Sequence, residues 1–480
     1  MHKATAPDQP LAPGSPSGPG LRRHALGRTE LLANNISECA PAIATFFVLG
    51  GVVSAAGVGT PLVVLVAGFG FFLHANVNAE FARMIPSAGF YSTYNARAYN
   101  RPTGSVIACA YLIGMACFYI GVYLQIGVWV SVAVSNLFGI SFSWWVPTIV
   151  MWAVVTALLL RGVRVSVGVA IAMFTFEILV LLAAAAAMLI FNHGSISGAG
   201  FNPGNIQGGT SGLGLGFPLA IFLLLGVTGS SPLAEETKNP RRNLPFAIRV
   251  ATLVGIAIYV FNARVMGIGF HNDVSTLLKA DFPFITAATN AVPDMRYVMY
   301  IAGFSSALGV MLSTGNAGSR VLFNVSREGL LPGIFRTTHR SWRTPWVAIL
   351  LPNCLLIVIT LILGGIVGGE NGFNYAVTLA TDILVVVFIV TNIALIVYTA
   401  RFSRDNFSWL RYVVVPIVGI VALGYPLYAS VLPTQPRPYN WFGLLIIGAY
   451  VIAIGYVIVR RRATGRVGAI LADATAEAAG

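Results

Sequence analysis

The residues of this chain best placed to do chemistry are carboxylates set inside long apolar runs. Glu177 lies midway along Phe174-Thr-Phe-Glu-Ile-Leu-Val180, and Asp382 lies within Thr378-Leu-Ala-Thr-Asp-Ile-Leu-Val385. An ionisable group in such a run is expensive to keep and marks a functional site by default. A carboxyl there can hold a cation, or load and release a proton; the plain alternative is a protonated hydrogen-bonding partner between helices. A second chemical feature is a break. From Phe222 the chain reads FLLLGVTGSSPLAEETKNPRRNLP, an apolar segment interrupted at Gly226, Gly229, Ser230, Ser231 and Pro232. It ends in Glu235, Glu236, Lys238, Arg241 and Arg242. In lipid an unsatisfied backbone group costs several kcal/mol, so a broken helix persists only where it lines a cavity or is covered by protein. The first apolar run carries Pro41 within Ala40-Pro-Ala-Ile-Ala-Thr45, where proline removes a donor and clashes with the preceding turn.

The elements that must position these groups are membrane helices. Charged residues make up 9% of the chain and mean hydropathy is +0.79, against roughly 25% charged in a soluble domain. Apolar runs of about 20 residues, enough to cross a bilayer, recur twelve times along the sequence. With the N-terminus inside, alternating these runs puts all of the 29 Lys and Arg on inside segments except Arg264, Lys279, Arg296 and Arg437. That is the positive-inside pattern, so the basic balance reports topology and not a nucleic-acid partner. It places both termini in the cytoplasm of a multi-pass cell-membrane protein.

Residues 1–30 are rich in Pro, Gly and Ser, lack an apolar core and read as a disordered cytoplasmic tail, not a cleaved signal. Residues 31–400 are expected to form a ten-helix core, 401–462 to add two further spans, and 463–480 to be a second cytoplasmic tail. The breaks fall in the first and sixth runs, the matching positions of a five-plus-five inverted repeat. The loop between Arg83 and Arg101 has room for a short surface helix. Cys39, Cys109, Cys117 and Cys354 all fall in apolar runs, so no disulfide framework is expected. There is no HExxH, CxxC, GxSxG or P-loop lysine motif, which argues against an enzyme; no cofactor and no metal site are expected.

Three stretches then resemble the amino acid–polyamine–organocation (APC) permeases: Ala79-EFARMIPSAGFYSTYNARAY99, Pro232-LAEETKNPRRNLPFAI248 and Ser319-RVLFNVSREGLLP332. The resemblance covers roughly residues 35 to 400. It implies an all-α membrane fold of twelve helices, a LeuT-like repeat with helices 1 and 6 broken, and two extra helices at the C-terminus. It also implies secondary active transport of amino acids or related amines by alternating access. Substrate is then expected between Ala40, Pro41, Ala42, Ile43, Ala44 and Thr45 and the facing Gly226, Val227, Thr228, Gly229 and Ser230. The free N–H groups of such breaks suit a carboxylate and the free C=O groups suit an ammonium.

Two departures from the family pattern shape the expectation. The first break is Pro-Ala-Ile-Ala-Thr, not the family's glycine-rich signature. Thr228 stands where many members carry a glutamate, which predicts a less acidic pocket and favours a neutral or weakly polar substrate. The coupling work moves to Glu177, which falls where ion-independent members carry a lysine, with Ser313 and Thr314 as the matching hydroxyls. Proton symport is the leading mode; sodium coupling or exchange of another solute, such as a nucleobase, is the alternative. Asp382 is expected at an outer gate, or else paired with Arg264. Glu80, Glu235 and Glu236 are expected to pair with inside arginines at an inner gate, and His74 to bridge helices.

Overall fold

The computed structural model describes residues 26–460, apart from 88, 163–166, 193–195, 340, 343 and 403–406; of Val167, Gly168, Ala170 and Glu235 it describes only the backbone. Residues 1–25 of the expected N-terminal tail, the expected C-terminal tail and the Glu235 side chain therefore lie outside the described residues, while residues 28–30 of the expected tail are helical. The helices are α1 (Arg28–Cys39), α2 (Pro41–Ile43), α3 (Leu49–Ala56), α4 (Thr60–Met84), α5 (Tyr91–Ala98) and α6 (Arg101–Phe138). They continue as α7 (Trp145–Leu160), α8 (Val167–Phe191), α9 (Thr210–Phe222), α10 (Pro240–Gly269), α11 (Val274–Leu277) and α12 (Pro283–Ala291). The last are α13 (Met295–Arg327), α14 (Trp346–Val367), α15 (Gly369–Phe402), α16 (Val415–Ser430) and α17 (Phe442–Val459). Among the described residues 9 helices are long and apolar enough to cross a membrane, and α9 with the turn after it makes up to 10. The protein is an integral membrane protein.

The difference from twelve comes from two places. The stretch Arg28–Met84 is a single 57-residue apolar run, yet it doubles back at Gly57–Gly59. Leu26 bridges to Thr237 and Arg28 stacks on Phe246 at one end of α10, and Arg249 at that same end holds Glu80 near the close of α4. Gly57 makes the reversal at φ 58, a conformation open to glycine at no steric cost. The other place is α7, apolar but only 16 residues long.

Close helix approach rests on small residues, as expected where lipid removes the hydrophobic drive. A Cβ on Gly68 of α4 would meet Ile256 of α10 at 2.8 Å, and one on Gly121 of α6 would meet Val377 of α15 at 2.5 Å. Large apolar side chains on the outside, including Leu182, Ile190, Ile362, Ile366, Ile452 and Val459, face lipid. The expected short helix after Arg83 exists as α5, but it is not a surface helix: Tyr91, Thr93, Tyr94 and Asn95 are buried. Asn95 donates to Thr391 of α15 at 3.0 Å, which ties α5 into the bundle.

Arg249 bonds Glu80 at 2.6 Å, Arg320 bonds Glu236 at 3.1 Å and Arg401 donates to Ala98 O, so the basic residues gather at one end of the bundle. Beyond the breaks, away from that end, aromatic rings cluster in stacked, tilted and edge-on pairs. Phe46 meets Trp129 and Phe284, Phe47 meets Phe282 and Phe373, and Phe222 meets Phe373, all with centroids within 6.0 Å.

Candidate substrate and coupling site at the two helix breaks

The first break occurs at Ala40, which has φ 47 and ψ 63 between α1 and α2. A left-handed alanine costs about 1–2 kcal/mol, a strain that the packed surroundings must hold. After the break the helix restarts at Pro41, passes through a π turn at Ala44–Val48 and runs on to Ala56. Proline suits the restart because its missing N–H would have no helical partner there. The second break follows α9, where the chain bends by 43° into 3-10 turns at Leu225–Thr228 and Ser231–Glu236.

The two breaks pack against each other through glycine. A Cβ on Gly226 would lie 2.3 Å from Glu38 C, and one on Gly229 would lie 1.5 Å from Glu38 Oε2. Glu38 is buried at 7% exposure. The carboxylate therefore occupies the volume a larger residue at 229 would need. The part of helix 1 that packs most closely on the second break is thus Asn35–Cys39, before the first break, while Ala40, Ile43 and Ala44 share a small void with Gly226. Asn35 accepts a hydrogen bond from Ser230 N–H at 2.8 Å, and the Tyr259 hydroxyl donates to Cys39 O at 2.6 Å. Those two bonds satisfy groups that the breaks leave unpaired.

Glu177 on α8 serves the other side of the first break. Its Oε2 accepts from Ala42 N–H at 3.2 Å and from the Ser306 hydroxyl at 2.7 Å. A carboxylate on the exposed N–H end of a helix is favoured by the aligned peptide dipoles. The hydroxyl partner is Ser306, two turns before the expected Ser313 and Thr314. Thr314 instead turns its hydroxyl to Val310 O at 2.6 Å, while its own carbonyl accepts from Tyr119.

Two separate cavities flank this junction. One, of about 140 Å³, is lined by Glu177, Ser306, Ser313, Pro41, Asn34, Glu236 and Arg320, among others, and so runs from Glu177 toward the basic end. The other, of about 220 Å³, holds Glu38, Gly226, Thr228, Gly229, Thr314 and Tyr119. Adjacent residues Ser313 and Thr314 of α13 thus face different cavities. Of the remaining expected substrate residues, Ala40, Ile43 and Ala44 border a void of about 20 Å³ beside Glu38. Thr45 is buried and accepts from Asn262 at 3.0 Å. Val227 is packed in the core.

The other expected residues lie elsewhere. Asp382 is buried on α15 and accepts from Ser430 of α16 at 2.9 Å, lining neither cavity. Its suggested partner Arg264 bonds Asn272 at 3.0 Å and the Ser197 carbonyl. Glu80 is held by Arg83 at 2.7 Å and by Arg249 at 2.6 Å, and Glu236 by Arg320 at 3.1 Å. His74 is enclosed by Asn392 at 2.8 Å and Tyr91 at 2.9 Å and stacks on Phe388.

Sequence reasoning missed Glu38, Asn35, Ser306 and Tyr259. The signal for Glu38 was present: it is an ionisable residue in the first apolar run, three positions before Pro41. Its position also runs against the expectation of a less acidic pocket at Thr228, because Glu38 lines the same cavity. The carboxylate that Thr228 does not supply comes from helix 1.

Comparison with known proteins agrees with this architecture. Over 408 residues the chain is 28% identical to the methylthioribose transporter of Bacillus subtilis (strain 168), covering 80% of this chain and 83% of that one. It is 29% identical over 320 residues to the branched-chain amino acid permease BcaP of the same organism, 61% of this chain and 65% of the relative. The low-affinity putrescine importer PlaP of Escherichia coli (strain K12) matches at 24% identity over 228 residues, 44% of this chain and 45% of that one. In fold, the chain is similar to the crystal structure of the Eremococcus coleocola manganese transporter, with a TM-score of 0.53 at 13% identity, covering 91% of this chain and 95% of that one. The family model described as amino acid permease matches residues 34–457, and with its broken helices and apolar spans the chain belongs to that family, as a transport protein and not an enzyme.

Proposed function

We propose that the protein is a secondary active transporter of amino acids or related amines, coupled to protons and working by alternating access. The observation that carries this reading is the pair of carboxylates at one junction: Glu38 before the first break and Glu177 on the first N–H after it. Counting Arg28–Met84 as two legs and α7 as a short span makes twelve crossings in a LeuT-like five-plus-five arrangement. By the positive-inside pattern the basic end is cytoplasmic. The cavities then open toward the cytoplasm, and the ring cluster from Phe46 to Phe373 closes the outer side.

In this mechanism substrate occupies the cavity between the breaks. Glu177 loads a proton from the outside and, on reorientation, releases it along its own cavity toward the Glu236–Arg320 pair. Protonation alters what the carboxyl offers Ala42 N–H and Ser306. That change couples the proton to the position of the restarted helix. Glu80 with Arg83 and Arg249, and Glu236 with Arg320, are the contacts that would form and break at the inner gate, and Asp382 with Ser430 is the corresponding candidate on the outer half. Relatives named for amino acids, putrescine and methylthioribose support a small polar organic substrate.

The test is Glu177→Gln in proteoliposomes. The variant is expected to lose accumulation against a gradient while retaining part of its exchange of internal for external substrate, with a flat pH profile. A variant whose pH dependence matches the unmodified protein would rule out Glu177 as the proton carrier.

A further inference from the structure

We infer that Glu38 is the residue that selects the substrate, and that it selects a small amine by its positive charge, with no requirement for a carboxylate on the ligand. This rests on the reading that the cavity between the breaks is the transport site. The backbone N–H groups beside the breaks that could hold an anion there are already engaged. Ala42 N–H goes to Glu177, Ser230 N–H to Asn35 and Gly229 N–H to Gly226 O. Asn35 Nδ2 and the hydroxyls of Ser230 and Ser231 have no partner among the described residues, but they are buried outside the cavity lining. What the junction presents to the cavity is an acceptor.

The Glu38 carboxylate is more than nine-tenths buried and has, among the described residues, one hydrogen bond, from Asn34 Nδ2 to Oε1 at 3.4 Å. That distance is beyond the usual range for N–H···O, and no hydrogen bond reaches Oε2. The arginine whose charge acts on it, Arg320, is bound to Glu236 at 3.1 Å. A buried carboxylate in this state needs a cationic or hydrogen-bonding partner. The rest of the cavity is largely apolar, with Met115, Phe118, Leu225, Leu322 and Leu356 on its walls. At about 220 Å³ it falls below the roughly 300–1,000 Å³ of pockets for drug-sized ligands. A compact amine with an apolar body meets both conditions: its ammonium bonds Glu38 and its body fills the walls.

The experiment uses the purified full-length protein in lipid nanodiscs and four probes: isopentylamine, isopentyl alcohol, leucine and putrescine. Isopentylamine is expected to bind at least about tenfold more tightly than the alcohol of the same shape, a difference of about 1.4 kcal/mol, and at least as tightly as leucine. In Glu38→Gln that preference for amine over alcohol is expected to vanish. Equal binding of amine and alcohol by the unmodified protein overturns the inference even if the variant does not fold. So does an intact amine preference in Glu38→Gln, or leucine binding about tenfold better than isopentylamine. Uptake into proteoliposomes separates the two levels: transport of a neutral solute with no amine transport defeats this inference alone, whereas no uptake of any amine, amino acid or neutral solute defeats the transporter reading.

Discussion

Gly229 and Glu38 show at the level of single residues how one side chain dictates another. A Cβ at 229 would fall 1.5 Å from the carboxylate, so Gly229→Ala cannot be accommodated without moving Glu38 off the second break. Gly229→Ala is expected to lower the thermal stability of the purified protein and abolish its uptake. In a Glu38→Ala background the same change should cost little further stability, because the clashing group is gone. Additive losses in this double-mutant cycle, read by melting of the detergent-solubilised protein, would show that the two positions do not interact. Glu177 was legible from sequence because it stands alone among apolar neighbours. Glu38 obeys the same rule, but it sits at the foot of its run, beside Asn34, Asn35 and Ser37, where an acid reads as an ordinary helix entry. Ser306 could not be read at all: which serine of α13 reaches Glu177 depends on how two helices cross.

Breaks are the elements that sequence announces most clearly here, because proline and clustered glycine leave a local signature. Both lie where Pro41 and Gly226–Pro232 place them, yet the pairing between them differs from expectation. The strained residue is Ala40 and not a glycine, and the chain before it, not after it, docks on the second break. Helix docking is a tertiary choice that no local pattern encodes. Because Ala40 is left-handed, Ala40→Gly is expected to be neutral or to stabilise by up to about 1 kcal/mol, while Ala40→Val, with its branched side chain, should destabilise by more than that. Melting temperatures of the two variants give the answer; a stable Ala40→Val would mean the kink is not held in this conformation. Tyr259→Phe removes the cap on Cys39 O, a bond of 2.6 Å. It is expected to cost about 1 kcal/mol, the typical net worth of a buried hydrogen bond, with a matching drop in melting temperature.

At the scale of the whole molecule, composition and charge asymmetry carried most of the fold. An all-helical membrane protein follows from long apolar runs, and the clustering of arginines at one end of the bundle follows the alternation of those runs. The count of crossings was less legible than their existence, since the first two run together without a charged break and α7 is short. The assignment of sides makes a direct prediction. Gly198→Cys lies at φ -80 with open space around its side chain and should react with a membrane-impermeant thiol reagent added to intact cells. Gly333→Cys, in the basic loop after α13, should react only after the membrane is opened. The reverse pattern would invert the topology, with the unmodified chain, whose Cys39 and Cys109 are buried, as the background.

Accumulation of a labelled amine or amino acid in proteoliposomes under an imposed proton gradient, without sodium, tests proton-coupled transport most directly. With the interior alkaline, the internal concentration should rise above the external one and fall back when a protonophore is added. Accumulation that ignores the proton gradient and requires sodium, or no accumulation of any amine or amino acid under either gradient, would contradict the account.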